Sequence, residues 1–299
     1  MKQATLSGSI YVEGKGLHTG LHIRLALHPA AEDSGIRITR TDLAGKPCCE
    51  AHVGYVSGTS RGTVLENGDW KVSTVEHLLS ALYALGVTNC LIETDGPEVP
   101  ILDGSALPYV RLIEQVGVKL QETEAKEWIV KEPIEFEHNG SRMLIEPANR
   151  FEAFVKIDFP SPIVHIQYAE LNDLNLYGSD VAPARTFCFL REIQTLLHLG
   201  LIKGGDLQNA VVIYDKKMWQ WSLNRLADKL GQPRMDNKQL GYLCELKFHN
   251  EPARHKLLDL IGDMSLLSVR IRGRITAEKP GHGFNTWCGK QLRDKGLIV

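Results

Sequence analysis

Long apolar runs and a large net charge are both missing from this sequence. No stretch reaches the ~18 uninterrupted apolar residues that a membrane-spanning helix needs, so we expect no transmembrane segment. The 34 basic and 36 acidic side chains leave a formal net charge of −2 at pH 7. A chain so nearly neutral gives no reason to expect a nucleic acid as a partner. A hydrophobic content of 43% and a charged content of 23% are instead typical of a globular protein.

Paired cysteine motifs are missing as well. The six cysteines are scattered over 299 residues without CxxC spacing, which argues against a disulfide framework and against a thiolate metal site. We therefore expect reduced thiols in a cytoplasmic protein. A chain of 299 residues is too long for a single ordinary core, so we also expect two domains.

Alternating apolar and polar residues predict β-strands in both halves of the chain. Residues 22–28 show this alternation, and a similar pattern restarts after the polar stretch 120–127, where we place a domain boundary. Each half contains strands, then a helix with a histidine near its start, then a further strand. The sequence therefore predicts an α+β fold of two similar domains, a duplicated unit, over residues 1–125 and 126–299. Helices are expected to pack on one face of each sheet.

Residues 72–86 are predicted to form the helix of the first domain. Ser73 precedes Glu76 by three residues, which matches a capping box, and Gly86 is a suitable stop signal. Asn67-Gly68 predicts a tight hairpin before this helix. Two further helices are predicted in the second domain, over residues 190–199 and 219–230.

The most informative stretch covers residues 254–263. In a helix, residues four apart return to nearly the same face, so His255, Asp259 and Asp263 would form one polar stripe on an otherwise apolar helix. An imidazole and a carboxylate one turn apart can chelate a divalent metal, and this pair of donors suits zinc. The alternative is a solvated stripe that contains a weak pair of residues four apart.

Glu76-His77 could complete a metal site with the pair His255 and Asp259, which supplies only two ligands. A catalytic zinc takes three protein ligands and one water, so His77 could be the third ligand. Glu76 could then be the base that acts on the water. The alternative is that Glu76 only closes the capping box and that His77 lines the core.

Five motifs occur in the order seen in one known family: Gly16–Gly20, Ser73–His77, Arg185–Phe187, His255–Asp263 and Gly281–His282. With these motifs the sequence resembles UDP-3-O-acyl-N-acetylglucosamine deacetylase, the zinc amidase of lipid A synthesis. The resemblance implies a cytoplasmic hydrolase with one catalytic Zn²⁺ that removes acetate from the linear amide of UDP-3-O-(3-hydroxyacyl)-N-acetylglucosamine. It also implies two facing two-layer α/β sandwiches, each with a small insert, and a metal site between them.

The resemblance also implies a role for individual residues. His77, His255 and Asp259 match the zinc ligands of the family, and Glu76 matches the general base. Three more positions match a second catalytic histidine, the acid that holds it, and the hydroxyl that helps to polarise the scissile carbonyl: His282, Asp263 and Thr186.

Candidate contacts to the substrate leave alternatives open. Residues 187–212 match an insert that forms a hydrophobic tunnel for the acyl chain, although any one of its apolar residues could be ordinary core. The candidate walls are Phe187, Phe189, Leu197, Leu201 and Leu207. Lys256 and Lys279 are candidate contacts to the UDP phosphates or else surface lysines. His18, in the first motif, is a further candidate contact to the substrate.

Residues 216–250 are longer than the matching segment in most members of the family. They resemble the branch that is fused to a hydroxyacyl-carrier-protein dehydratase, and we expect no dehydratase domain within residues 1–299. Two rival functions are a zinc peptidase and a binding protein with a structural zinc. A common zinc peptidase would carry a His-Glu-x-x-His helix, which the sequence lacks. A binding protein with a structural zinc would usually use four ligands, often cysteines, and the cysteines here lie away from the motifs.

Overall fold

A computed structural model describes residues 1–298 of the chain, and its mixture of helices and sheets confirms the predicted α+β class. The elements of the first half are β1 (Lys2–Leu6), β2 (Ile10–Lys15), β3 (His22–Pro29), β4 (Ile36–Arg40), β5 (Cys48–Glu50), β6 (Val56–Gly58), β7 (Val64–Asn67), β8 (Trp70–Ser73), α1 (Glu76–Ala84), β9 (Cys90–Thr94), α2 (Leu107–Val116) and β10 (Val118–Glu124). Those of the second half are β11 (Glu127–Ile129), β12 (Ile134–His138), β13 (Ser141–Glu146), β14 (Phe151–Asp158), β15 (Ile166–Leu171), α3 (Tyr177–Asp180), β16 (Phe187–Phe189), α4 (Leu190–His198), β17 (Val211–Tyr214), α5 (Gln220–Leu230), β18 (Gly241–Tyr242), α6 (Glu251–Ser265), β19 (Arg270–Glu278) and α7 (His282–Asp294).

The main sheets of the two halves have the same topology. The first has the strand order β2-β3-β9-β4-β5, and the second has the order β12-β13-β19-β14-β15 with β11 also paired to β19. In both sheets the third and fourth strands are parallel and the other neighbours along this order are antiparallel. This correspondence supports the proposal of a duplicated unit with a boundary near residue 125, between β10 and β11.

Smaller sheets are added to this repeated frame. One is β6-β7-β8 in the first half, and another is β16-β17-β18 in the second half. Most of the polar stretch 120–127 lies in β10, which pairs with β1 at the start of the chain. The hairpin predicted at Asn67-Gly68 is confirmed, because Asn67 pairs with Trp70 across the turn between β7 and β8.

Helices α1 and α6 are largely buried and pack against each other. Every residue of α1 is buried, and Leu78, Leu82, Leu258 and Ile261 belong to one core shared by both halves. Gly262 makes the close approach of the two helices possible, because a Cβ atom there would lie 2.2 Å from the backbone oxygen of Glu76. The histidines near the starts of α1 and α6 are therefore brought side by side.

The capping box predicted for α1 is wrong. The helix begins at Glu76, and the residue before it, Val75, provides no side-chain cap. The hydroxyl of Ser73 instead donates a hydrogen bond to the backbone oxygen of Pro97 at 3.1 Å. The predicted stop is confirmed, since Gly86 has a φ of 76° just beyond the helix.

Replacing Gly262 by alanine is expected to destabilise the protein. The added methyl group would collide with the backbone of Glu76, and overpacking of this kind costs about 1–3 kcal/mol of the free energy of unfolding. Urea denaturation measures that loss. In the matched variant Gly178→Ala the new Cβ atom would lie 3.6 Å from Val110, so stability should be retained. Equal stability of the two variants would contradict the proposed crossing of α1 and α6.

Candidate metal centre and active site

A cavity of about 810 Å³ lies where the N-terminal parts of α1, α6 and α7 meet. Each helix contributes chemically active side chains to its wall. They are Glu76 and His77 from α1, His255, Lys256 and Asp259 from α6, and His282 from α7. The two halves of the chain therefore build this cavity jointly.

His77, His255 and Asp259 converge within the cavity. The Nε2 atom of His255 lies 3.4 Å from Oδ1 of Asp259, and Nε2 of His77 lies 4.0 Å from the same oxygen. One possible ligand atom from each residue lies within 4.8 Å of the other two, and all three residues are buried. The structure thus brings together the three residues for which the sequence predicted metal binding.

The surroundings of this triad fit a bound cation. Oδ1 of Asp259 is buried and has no hydrogen-bond partner within residues 1–298, an arrangement that costs free energy unless another group compensates it. Nδ1 of His255 lies 3.1 Å from the backbone oxygen of Ala184. This contact places the imidazole hydrogen on Nδ1 and leaves the lone pair of Nε2 directed at the carboxylate. Nζ of Lys256 holds the other oxygen of Asp259 at 2.5 Å.

The protonation states of the triad also suit a metal. Burial lowers the pKa of His77 to about 3, and the nearby His255 acts in the same direction. Burial lowers the pKa of His255 as well. Burial would raise the pKa of Asp259, but Lys256 and the surrounding histidines hold it below its usual range. Two neutral imidazoles and one carboxylate are the forms that bind a metal ion at neutral pH.

Glu76 lies beside the triad at the start of α1. Its Oε2 accepts a hydrogen bond from the backbone N–H of Thr63 at 3.0 Å, and its Oε1 lies 3.8 Å from Nε2 of His282. Burial raises the pKa of Glu76 to about 7, although the charge of His282 opposes this rise. A carboxyl group with a pKa near neutrality is suited to accept and release protons at pH 7.

His282 is held from behind by a fixed carboxylate. Its Nδ1 atom lies 3.0 Å from Oδ2 of Asp263, and that oxygen also accepts a hydrogen bond from Asn285 at 2.9 Å. The hydroxyl of Thr63 donates to the other oxygen of Asp263 at 2.5 Å. Burial lowers the pKa of His282, but Asp263, Asp259 and Glu76 outweigh this effect and raise it to about 9. In the metal-free protein this raised pKa favours the protonated imidazole at neutral pH.

The other residues predicted around the reaction centre also line the cavity. Thr186, Phe187, Lys256 and Lys279 belong to its wall, and the ring of Phe187 has its centroid 6.3 Å from that of His255. Lys279 forms an ion pair of 3.0 Å with Asp158 and keeps half of its side chain exposed. The ammonium group of Lys256 instead contacts Asp259, a candidate metal ligand.

A second cavity, of about 350 Å³, adjoins the first. Thr186 and Phe187 line both cavities, and most of the remaining wall of the second is apolar. His18 and Leu207, two candidate contacts to the substrate, line this second cavity. An elongated apolar group attached to a polar head could therefore occupy both spaces at once.

The apolar cavity extends beyond residues 187–212, the segment predicted to form the acyl tunnel. Side chains of α5 and of residues 232–235 also line the apolar cavity. Of the five candidate walls, Phe187 and Leu207 line that cavity, and Phe189 lines the larger one. Leu197 and Leu201 line neither cavity in the described part of the chain; Leu197 packs against the small core of the insert.

Sequence reasoning missed the supports of the site. Thr63 holds both Glu76 and Asp263, but no motif contains it. Glu98 is fully buried, and its carboxylate accepts the backbone N–H groups of His18 and Thr19 and the hydroxyl of Thr74. These bonds fix the backbone of the first motif. They also fix Thr74, which lies just before α1 and has a φ of 57°. The three residues that Glu98 holds, His18, Thr19 and Thr74, all lie in two of the family motifs. Those motifs were the only sequence signal that pointed to a shared support.

Comparison with known proteins agrees with this geometry. The model of one family, UDP-3-O-acyl N-acetylglycosamine deacetylase, matches residues 3–230 and 235–294. The chain belongs to the UDP-3-O-acyl N-acetylglycosamine deacetylase family. Members of this deacetylase family are metalloenzymes, and the converging triad is a group able to hold an ion. Within residues 1–298, none of the helices has the length and hydropathy of a membrane span.

Relatives in the deacetylase family cover almost the whole chain. The bifunctional enzyme LpxC/FabZ of Bacteroides thetaiotaomicron is 49% identical over 98% of this chain, and that of Porphyromonas gingivalis is 48% identical over 98%. The chain spans 64% of the length of each of these two relatives. The UDP-3-O-acyl-N-acetylglucosamine deacetylase of Syntrophus aciditrophicus is 35% identical over 98% of this chain and 86% of its own length.

Loss of one triad residue is expected to weaken metal binding strongly. His77→Ala and His255→Ala each remove a candidate direct ligand, so zinc affinity should fall by more than the roughly 100-fold that loss of an outer support can cost. A competition titration with a chromophoric chelator measures this affinity. The control His22→Ala changes an exposed histidine of β3 and should bind zinc like the parent. Full affinity in His77→Ala would remove His77 from the ligand set.

Removal of the Asp263 charge is expected to lower the pKa of His282. In metal-free protein, an NMR titration of the His282 ring should give a pKa well above the ordinary value of about 6.5, near the value of about 9 derived from the structure. Protonation of His282 then stabilises the fold. That contribution is complete below about pH 6.5 and is lost as the pH rises through about 9. In Asp263→Asn the pKa should move down towards 6.5; an unchanged value would contradict the role of Asp263.

Proposed function

We propose that this protein hydrolyses the acetamide of UDP-3-O-(3-hydroxyacyl)-N-acetylglucosamine to a free amine and acetate, the committed step of lipid A biosynthesis. The observation that carries the proposal is the placement of a metal-competent triad, a buried carboxyl group and a charged histidine in one cavity that adjoins an apolar one. Membership of the deacetylase family supports the same reaction. The relative from Syntrophus aciditrophicus is named for this deacetylase.

The proposed ligands of a single Zn²⁺ are His77, His255 and Asp259. Two imidazoles and one carboxylate match the three-ligand sites of catalytic zinc, which leave one position open. Structural zinc sites usually have four protein ligands, and no cysteine belongs to the group formed here by residues of the described chain. When bound, Zn²⁺ supplies Lewis-acid activation of water and of the amide carbonyl.

Glu76 is proposed as the general base. Its Oε1 accepts a proton from the attacking water while the water oxygen bonds to the carbonyl carbon. The hydrogen bond from Thr63 to Oε2 fixes the orientation of the carboxylate, and the raised pKa allows Glu76 to lose that proton again near neutral pH. The base is thereby restored after each turnover.

His282 and Thr186 are proposed to stabilise the charge that develops on the substrate. The protonated Nε2 of His282 and the hydroxyl of Thr186 both lie in the wall of the cavity, where hydrogen-bond donors can stabilise a developing oxyanion. His282 then gives its proton to the nitrogen as the C–N bond breaks, so the products are acetate and an amine. Asp263 keeps the imidazole oriented and charged between turnovers.

The two ends of the substrate are assigned to different walls. The acyl chain occupies the apolar cavity beyond Phe187, where each buried methylene contributes about 0.8 kcal/mol to binding. The UDP group is assigned to the part of the larger cavity lined by Lys279, whose side chain is half exposed. The scissile acetamide is then placed between them, next to the triad.

Glu76→Gln is the most direct test of the reaction. The amide keeps the size of the side chain but cannot accept the proton, so turnover should fall by about 10²–10⁴-fold. Mass spectrometry of UDP-3-O-acyl-N-acetylglucosamine incubated with zinc-loaded protein detects the loss of acetate. Zinc content should remain equal to that of the parent. Parent protein that carries zinc and releases no acetate would sink the proposal.

Changes in the apolar cavity are expected to alter the preferred chain length. Leu207→Ala widens the wall, whereas Ala227→Phe fills the side formed by α5. We expect kcat/KM for long-chain substrates to rise relative to short-chain substrates in the first variant and to fall in the second. Leu199→Ala, which changes an exposed residue after α4, is the control. Equal kcat/KM for short and long chains in the parent would rule out the cavity as the acyl site.

A further inference from the structure

The positive charge of the molecule is concentrated on the segment around α5. Residues 216–240 contain six basic and two acidic side chains, a net charge of +4 in a protein whose total is −2. Arg234 pairs with Asp228 at 2.9 Å. The other five cations have no acidic partner within residues 1–298 by the distances that define the ion pairs of this structure: Lys216, Lys217, Arg225, Lys229 and Lys238.

Two tryptophans are exposed in the same segment. Trp219 is 78% exposed and Trp221 is 66% exposed, while the apolar side of α5 buries Leu223, Leu226 and Ala227. Because residues four apart share a face of a helix, Trp221, Arg225 and Lys229 lie along the outer side of α5, and all three are exposed. The helix therefore presents an aromatic and basic surface outward.

Hydrogen bonds hold a neighbouring loop against the start of α5. The backbone N–H of Asn237 donates to the side chain of Gln220 at 3.0 Å, and the side chain of Asn237 donates to the backbone oxygen of Met218 at 3.1 Å. Lys238 follows Asn237 and Lys217 precedes Met218, so these hydrogen bonds join the two segments that contain the lysines. We call the following exposed residues the α5 face: Lys216, Lys217, Trp219, Lys238 and, on the outer side of the helix, Trp221, Arg225 and Lys229.

We infer that the α5 face binds the surface of an anionic lipid membrane. Tryptophan favours the boundary between water and lipid, and lysines near that boundary are attracted to anionic headgroups. Protein interfaces also use tryptophan and arginine, but lysine is depleted in them. Four of the five unpaired cations are lysines, which favours lipid over an acidic protein as the partner.

The opposite side of α5 faces the apolar cavity. Leu223, Leu226, Ala227 and Leu230 line the apolar cavity. One helix therefore separates that cavity from the basic, aromatic surface. Vesicle binding is measured without turnover, so a failure to bind vesicles would leave the proposed reaction untouched.

Co-sedimentation with lipid vesicles tests the inference. The zinc-loaded protein should bind vesicles of phosphatidylethanolamine and phosphatidylglycerol at low salt, bind vesicles of phosphatidylcholine much more weakly, and be released from the anionic vesicles by high salt. Lys216→Gln/Lys217→Gln should weaken binding on the order of 25-fold, since each cation near an anionic membrane contributes roughly 5-fold. Trp219→Ser/Trp221→Ser should also weaken it.

Matched variants elsewhere separate the α5 face from general effects. Lys119→Gln/Lys131→Gln removes two exposed lysines of other segments, and Tyr11→Ser removes an aromatic side chain that is 74% exposed on β2. Both controls should bind like the parent. The inference is overturned if the parent does not bind anionic vesicles, or if the controls weaken binding as much as the α5 variants. It is also overturned if sedimentation velocity shows a parent dimer that the tryptophan variant abolishes, since the face would then join two copies of the chain.

Discussion

The close crossing of α1 and α6 is the constraint on which the rest of the site depends. Gly262 permits it, because any larger side chain would meet the backbone of Glu76. The crossing places His77 from one half of the chain beside His255 from the other, with ring centroids 5.0 Å apart. Neither half contains the whole candidate ligand group, since His77 lies in the first half and His255 and Asp259 lie in the second. The two halves of the chain must therefore pack together correctly for the histidines of α1 and α6 to lie side by side.

Burial of so many ionisable groups is costly, and the site offsets this cost by pairing them. An isolated buried charge is strongly unfavourable, whereas a paired and hydrogen-bonded one is tolerated. Asp263 is paired with His282 and receives a further hydrogen bond from Thr63, and Lys256 neutralises one side of Asp259. Oδ1 of Asp259 has no hydrogen-bond partner within residues 1–298, and it lies 4.0 Å from Nε2 of His77 and 3.4 Å from Nε2 of His255. The network thus leaves an unsatisfied acceptor at the point proposed for the metal.

Local patterns allowed much of this arrangement to be predicted from the sequence. The pair His255 and Asp259 follows from helical spacing, and family motifs supplied the residues that spacing could not connect. The role of Thr63 could not be predicted, because its partner Asp263 is 200 residues away and only the packed core joins them. The prediction of a capping box was wrong for a similar reason. Ser73 has the spacing of a capping residue, but its hydroxyl donates to the backbone oxygen of Pro97, 24 residues away. The sequence did not predict that α5 lines the apolar cavity, because α5 lies outside the matched segment 187–212 and reaches the cavity only through the fold.

Anomalous diffraction from crystals of the zinc-loaded protein tests the central claim most directly, because it locates the ion without reference to activity. Data collected on the two sides of the zinc absorption edge should show one strong peak, bounded by Nε2 of His77, Nε2 of His255 and the carboxylate of Asp259. Crystals of His77→Ala grown with the same zinc should lose most of that peak. A principal peak at cysteine thiols or at surface residues, or a peak that keeps its full height in His77→Ala, would contradict the account.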